Sequence, residues 1–230
     1  SVLFPPAKPP RVEPAERAPR SLPVAAEHSE SGAQSPAPVE AELPPEAVAG
    51  DSEAGVVLGN ESFQVTVSPR GAAVTSLVLA GYRGDEGQDL ELIQSVEHPQ
   101  RLLPLQLVDA DTPDERLYRV ERSGRKVEMR WADGAGNGVT KRFEIAEEGY
   151  GLQVEMILAG SFEDAWLAVG TGLRDLGPVE RDSRLAVWGD AALFADGEME
   201  RFKRGKVKET KSFQPRSLSF VGLQDSYFLN

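Results

Sequence analysis

From Phe63 onward the chain keeps returning to one rhythm, an apolar residue at every second position, and that rhythm narrows the fold more than any other feature. Side chains in a strand alternate faces, so such a segment has one face to bury and one to leave wet. Phe63, Val65 and Val67 alternate with Gln64 and Thr66; Ser68-Pro69-Arg70-Gly71 supplies a turn, and residues 74–79 resume a β-rich stretch. Residues 117–121 are expected to meet Val127, Met129 and Trp131 across Arg122-Ser123-Gly124-Arg125, with Gly124 where positive φ is needed. Val139, Lys141, Phe143 and Ile145 follow with period two, and Leu152, Val154 and Met156 continue the meander past Glu147-Glu148-Gly149. Residues 165–169, 185–188, 191–195 and 202–207 have the same character. Strands at short spacing with few helix signatures predict an all-β sandwich of antiparallel strands. One segment departs from the rhythm. Phe220, Leu223, Tyr227 and Phe228 recur at helical spacing after Ser219, an N-cap residue type, which predicts a short C-terminal amphipathic helix over residues 220–229.

The first fifty residues are a different material. They hold eleven of the 17 prolines and one aromatic residue, Phe4. Such a segment cannot bury enough apolar surface to offset the entropy of ordering its backbone, so residues 1–50 are read as a disordered Pro-rich linker and residues 51–230 as one folded domain. No uninterrupted apolar run exceeds five residues, far short of the 18 or so a spanning helix needs. Val2-Leu3-Phe4 directly before the prolines is how a fragment cut just after a hydrophobic segment would start, and a cleaved signal peptide would leave the same trace. The net charge of -12 argues against nucleic acid as the main partner. One stretch opposes that balance: seven basic residues between Arg201 and Arg216 face a single acid, Glu209. It is read first as a solvated strand pair whose lysines discourage edge-to-edge pairing, and second as a contact with anionic lipid headgroups.

Constellations that carry chemistry fail one by one. The absence of cysteine removes disulfides and thiolate metal sites. The two histidines, His28 in the linker and His98 beside Pro99, cannot form a pair or a zinc set. There is no Gly-x-Ser-x-Gly elbow and no phosphate loop, and the Gly134 to Gly138 cluster is read as a hairpin connector. Asp109, Asp111, Asp114 and Glu115 suggest a calcium loop until the later positions are checked: Asp114 stands where an EF-hand needs glycine and Val120 where it needs glutamate. They are read as a solvated acidic loop, as are Asp85, Glu86, Asp89 and Glu91. Asn60-Glu61-Ser62 matches a glycosylation sequon that chance explains equally well. Trp131, Trp166 and Trp188 could stack on sugars if exposed, but their strand context favours the core. No catalytic, cofactor-binding or metal-binding residue is predicted, and the chain is read as no enzyme.

The order of these segments resembles one family, the large periplasmic domain of bacterial YidC-type membrane protein insertases. Residues 60–74, a strand, an Arg-Gly turn and a second strand reaching Gly81-Tyr82, are similar to the family's first strand pair. Residues 90–93 and 104–107 follow as a Leu-rich and a Pro-Leu strand. Most specific is the Val139-x-Lys141-x-Phe143 strand followed by Tyr150 and a long strand. Residues 187–190, the Phe202-Lys203 strand and residues 220–229 resemble the closing segment, with Ser219-Phe220 where many members carry Gly-Trp.

The resemblance implies a β-supersandwich of the galactose mutarotase type, facing the periplasm from the bacterial inner membrane. It also implies a linker that follows a first transmembrane helix and a closing helix that runs toward a second. Fifty linker residues span roughly 40 Å as a flexible coil and up to about 155 Å as polyproline II. In the family, insertion is carried by a groove among transmembrane helices, so this region would do accessory work, docking SecD and SecF of the Sec translocon or contacting nascent inner-membrane proteins. The alternative, a carbohydrate-binding or aldose-epimerase-like domain, shares the fold, but mutarotase-type chemistry wants a glutamate base working with histidine acids.

Overall fold

The computed structural model describes residues 46–84, 87–94, 101–162, 164–170, 172–175, 189–203, 206 and 215–224. Strands β1 (Val56–Gly59), β2 (Phe63–Ser68), β3 (Ala73–Arg83) and β4 (Asp89–Glu91) lie side by side in that order as one antiparallel sheet. Two short strands, β5 (Leu107–Asp109) and β6 (Thr112–Pro113), lead into a second antiparallel sheet. It is formed by β7 (Arg119–Ser123), β8 (Lys126–Ala132), β9 (Gly138–Ile145) and β10 (Leu152–Ala159), again in sequence order. The two-residue strand β11 (Trp166–Leu167) returns to pair with β5. β12 (Asp190–Ala195) then runs between β13 (Glu198–Phe202) and β14 (Leu218–Gln224) in a three-stranded sheet.

The period-two rhythm is what packs the two large sheets together. Phe63, Val65 and Val67 of β2 share one buried cluster with Val127 and Met129 of β8 and with Val139, Phe143 and Ile145 of β9. The intervening Thr140, Arg142 and Glu144 are only half-buried. Each large apolar side chain removed from water in this way contributes about 1.5–3 kcal/mol. The architecture is therefore the all-β antiparallel sandwich that the alternation predicts. The β7–β8 hairpin turns through Gly124 at φ 58°. Ahead of β1, Val48 and Ala132 exchange both backbone hydrogen bonds at 2.9 Å, so the chain is held to the end of β8 from that point on.

Two expectations near the C-terminus are corrected. Phe220 and Leu223 do not share a helical face; they belong to β14, whose backbone pairs with β12 from Asp190↔Gln224 to Ala195↔Leu218. Phe220 and Leu223, three residues apart, stand on opposite faces of the strand, and Ser219 before them is an extra residue, a bulge that shifts the register between Phe194 and Ala195. Residues 225–229 of the predicted helix lie outside the described residues. The strand placed at 202–207 instead begins at Glu198 and ends at Phe202, after a turn in which Asp196 (φ 52°) and Gly197 (φ 84°) are both left-handed. That is the type I′ geometry whose twist matches a tight hairpin. Segment 185–188 lies outside the described residues.

Truncating Phe143, which is wholly buried between the sheets, to alanine should lower the unfolding free energy by about 3–5 kcal/mol. Val57→Ala, on the half-exposed β1 edge, should change it by less than about 1 kcal/mol. Urea denaturation of both variants checks the pair, and similar losses would contradict the assignment of the core.

Candidate functional site

The alternation that buries Val139 and Phe143 also drives Lys141 inward, to zero exposure. An ammonium in the core is tolerated only if its donors are satisfied. Lys141 Nζ donates to the carbonyls of Leu105 at 2.7 Å, Gly71 at 2.9 Å and Ala72 at 3.1 Å, so its three protons meet three acceptors. All three acceptors lie on left-handed backbone, with φ of 71° at Gly71, 45° at Ala72 and 64° at Leu105. For Ala72 and Leu105 that conformation is held against a cost of about 1–2 kcal/mol each. Gly71 has a second constraint, because a Cβ there would lie 2.3 Å from the Asp114 carbonyl oxygen.

A chain of polar groups continues from this point. Asp114, 5 % exposed, accepts hydrogen bonds from the Tyr118 hydroxyl, from Arg116 Nε at 2.7 Å and from the Arg116 amide at 3.0 Å. The Arg116 guanidinium lies 4.3 Å from the Trp131 ring centroid and 5.7 Å from that of Phe162, cation–π range for both. Burial pushes the Tyr118 hydroxyl well above its ordinary range, and the Asp114 carboxylate pushes it further. Burial pulls Lys141 down to about 8 despite the attraction of Asp114. In Arg116 burial acts downward, but the hydrogen bond and charge of Asp114 outweigh it and raise the group.

Asp114 thus departs from the solvated loop expected of residues 109–115. Asp109 to Thr112 form a tight β5–β6 hairpin with Ala110 and Asp111 at φ 47° and 59°, and that turn folds Asp114 beneath Arg116. Sequence reasoning missed this cluster because its members are spread over residues 71–141. The single visible signal was a lysine in phase with Val139 and Phe143. Chemically the cluster is a brace: Lys141 has no exposed surface and no free donor, so it cannot reach a substrate as base or nucleophile.

The opposite face of the β7–β10 sheet carries an ion-pair ladder. Arg142 bridges Glu128 at 2.6 Å and Glu155 at 2.8 Å, Arg130 also meets Glu128, and Lys126 meets Glu144 at 2.9 Å. An open depression of about 600 Å³ lies over these groups. Its one aromatic lining residue, Phe143, is wholly buried, which leaves no ring for a sugar to stack on there.

The remaining sequence candidates resolve into structural parts. Asn60 of the sequon uses both amide protons on the carbonyls of Ala146 (3.0 Å) and Gly149 (2.9 Å), while its oxygen accepts from the Ser62 and Phe63 amides. The Gly134 to Gly138 connector closes on Asp133, whose carboxylate takes hydrogen bonds from the Asn137 side chain and the Ala135 and Asn137 amides and is held below its usual range. Trp131 packs against the core, whereas Trp166 is 43 % exposed on the short strand β11, contrary to the core placement expected for it. His28, His98 and Trp188 lie outside the described residues, as do Arg204, Lys208 and Lys211 of the basic stretch. Among the described residues no cluster of acids or histidines could hold a metal ion, and no helix is long and apolar enough to cross a membrane.

Among the described residues the chain forms a braced antiparallel sandwich with a charged outer sheet. The model of the YidC periplasmic domain family matches residues 56–230, and the chain belongs to that family. This is the family of a periplasm-facing region of a membrane protein insertase. Comparison with curated proteins finds no match.

Replacing Lys141 by methionine should cost about 3 kcal/mol or more at pH 7, because three buried carbonyls lose their donor. The pH dependence has a definite sign. A folded-state pKa near 8, below the ordinary 10.5, means that folding disfavours the charged form, so the penalty is complete below about pH 8. It is relieved as pH rises toward 10.5, by up to about 3 kcal/mol. Relative to Lys141→Met, the parent chain should therefore gain stability between pH 8 and 9.5 in urea titrations; parallel curves would contradict a titrating Lys141.

Proposed function

We propose that this chain is the non-catalytic docking and positioning domain of a YidC-type insertase, assisting insertion and folding of inner-membrane proteins. The observation that carries the reading is the family match over 56–230. SecD and SecF of the Sec translocon and nascent inner-membrane proteins are the proposed partners. The residues ahead of Val48 act as the linker that follows a first transmembrane helix and tethers the folded domain. Two structural features support accessory rather than chemical work. The wholly buried Lys141 is consumed by its own carbonyls, and Lys126, Glu128, Arg142, Glu144 and Glu155 of the outer sheet pair with one another. A surface of that kind holds shape and presents charge without a reactive group.

Photo-crosslinking residues placed at Thr140 and Gln153 on the outer sheet, and at Trp166, should give adducts with SecD, SecF or nascent chains in cells carrying the full-length protein. Uniform absence of such adducts would sink the docking reading.

A further inference from the structure

The three-stranded sheet β13-β12-β14 buries its apolar residues incompletely. Leu218 is 54 % exposed, Val221 48 % and Met199 42 %. Residues paired across antiparallel strands project to the same side, so the register sorts these side chains by face. Val221 pairs with Leu193 and Leu193 with Glu200; Leu218 pairs with Ala195 and Ala195 with Glu198. Those six share one face. The stacked rings of Phe194 and Phe220, 6.0 Å apart, and Met199 lie on the other.

Leu218 reaches the first face only because of the bulge at Ser219. Without the extra residue, simple alternation would put Leu218 on the side of Phe220; with it, Leu218 stands beside Val221. An irregularity whose result is to gather two exposed aliphatic side chains is more than a packing defect. Further along the same face, Leu223 is half-buried, its Cδ1 lying 3.8 Å from where a Gly170 Cβ would be, so the more open part is the Leu218–Val221 end. Among the described residues β14 pairs with β12 alone, and its other edge is where an added strand would pair. Along the far side of the face run Glu198 and Glu200, both exposed and without an ion pair among the described residues. The nearby Arg201 projects to the opposite face and donates to Gln224 at 3.2 Å.

We propose that the Leu218–Val221 face, with its acidic border, docks an extended apolar segment of another protein that carries lysine or arginine at its flanks, adding it at the β14 edge. Charge selects this occupant. A second copy would bring two acidic borders and two chains of net charge -12 together, and an anionic lipid surface would be repelled by Glu198 and Glu200. The proposal deepens the docking reading and rests on it by naming the face that docks and the chemistry it accepts.

The test measures fluorescence anisotropy of two labelled nine-residue peptides on the full chain, each of alternating valine and threonine, one with lysine and the other with glutamate at both ends. The lysine-flanked peptide should bind about tenfold tighter or better, and the double variant Glu198→Lys, Glu200→Lys should invert the order. Val221→Asp should weaken binding at least about tenfold, and Val221→Thr, which keeps the β-branched shape, should weaken it as well in a chain whose fold is preserved. Equal affinity for both peptides, no binding to either, or indifference to both Val221 variants would overturn the proposal. So would self-association in sedimentation, or binding to phosphatidylglycerol vesicles, that Val221→Thr removes. If these peptides fail while crosslinks form on the outer sheet, this face falls and the docking reading stands; if both fail, both fall.

Discussion

A lysine ammonium wholly inside a β-sandwich is expensive, and the rest of this structure is arranged around keeping it satisfied. Lys141 belongs to β9, yet its three acceptors come from the turn between β2 and β3 and from the segment ahead of β5. One group therefore ties the second large sheet to the turn of the first and to the connection between them. Apolar contact between sheets is non-directional and tolerates sliding. Three charge-assisted hydrogen bonds to carbonyls in a fixed arrangement do not, so the brace sets the register of one sheet on the other. The cost is shared with the backbone: Ala72 and Leu105 stay in the left-handed region because their carbonyls must point at the ammonium.

Around that brace each neighbour has a position it could not easily leave. Asp114 holds Arg116 and Tyr118, Arg116 covers Trp131, and Tyr118 stands with its ring centroid 6.0 Å from Lys141 Nζ. Gly50 lies so close to the Tyr118 carbonyl that a Cβ would sit 2.2 Å from its oxygen, which presses the incoming chain against the same cluster. Buried polar networks satisfied at every member specify one packing more sharply than apolar contact alone. The outer ladder of Arg142, Glu128 and Glu155 is a different case. Its groups are partly exposed, each pair contributes at most about 1 kcal/mol, and its effect is on surface potential more than on stability.

The sandwich was legible in the sequence because period-two alternation reports directly on which face of a strand is buried, and β2, β8 and β9 follow it closely. The brace was half legible. Lys141 stood in phase with Val139 and Phe143, but nothing local could say where its acceptors were, since they lie 36 to 70 residues away. Asp114 was misread for the opposite reason: it sits in a run of acids that reads as wet, and only the tight turn at Ala110 and Asp111 takes it inside. The C-terminal segment misled because Phe220 and Leu223, both beyond the bulge at Ser219, are apolar three residues apart although they face opposite sides of β14, and pairing partners rather than local spacing decide between helix and strand.

That bulge also separates the parts of the molecule that are fixed from the part that is open. The β13-β12-β14 sheet stands apart from the brace and is tied within itself: Asp196 accepts from the amides of Arg216 and Ser217, while its own amide donates to the Ser217 carbonyl at 2.9 Å. These bonds hold the start of β14 where Ser219 must bulge, and so hold Leu218 beside Val221. Exposing two aliphatic side chains on a strand edge carries an aggregation hazard, which edges of this kind usually offset with charge. Glu198 and Glu200 supply that charge on the same face, and because they have no ion pair among the described residues they also set which partner can lower the energy of the edge: one that brings apolar surface and positive charge together.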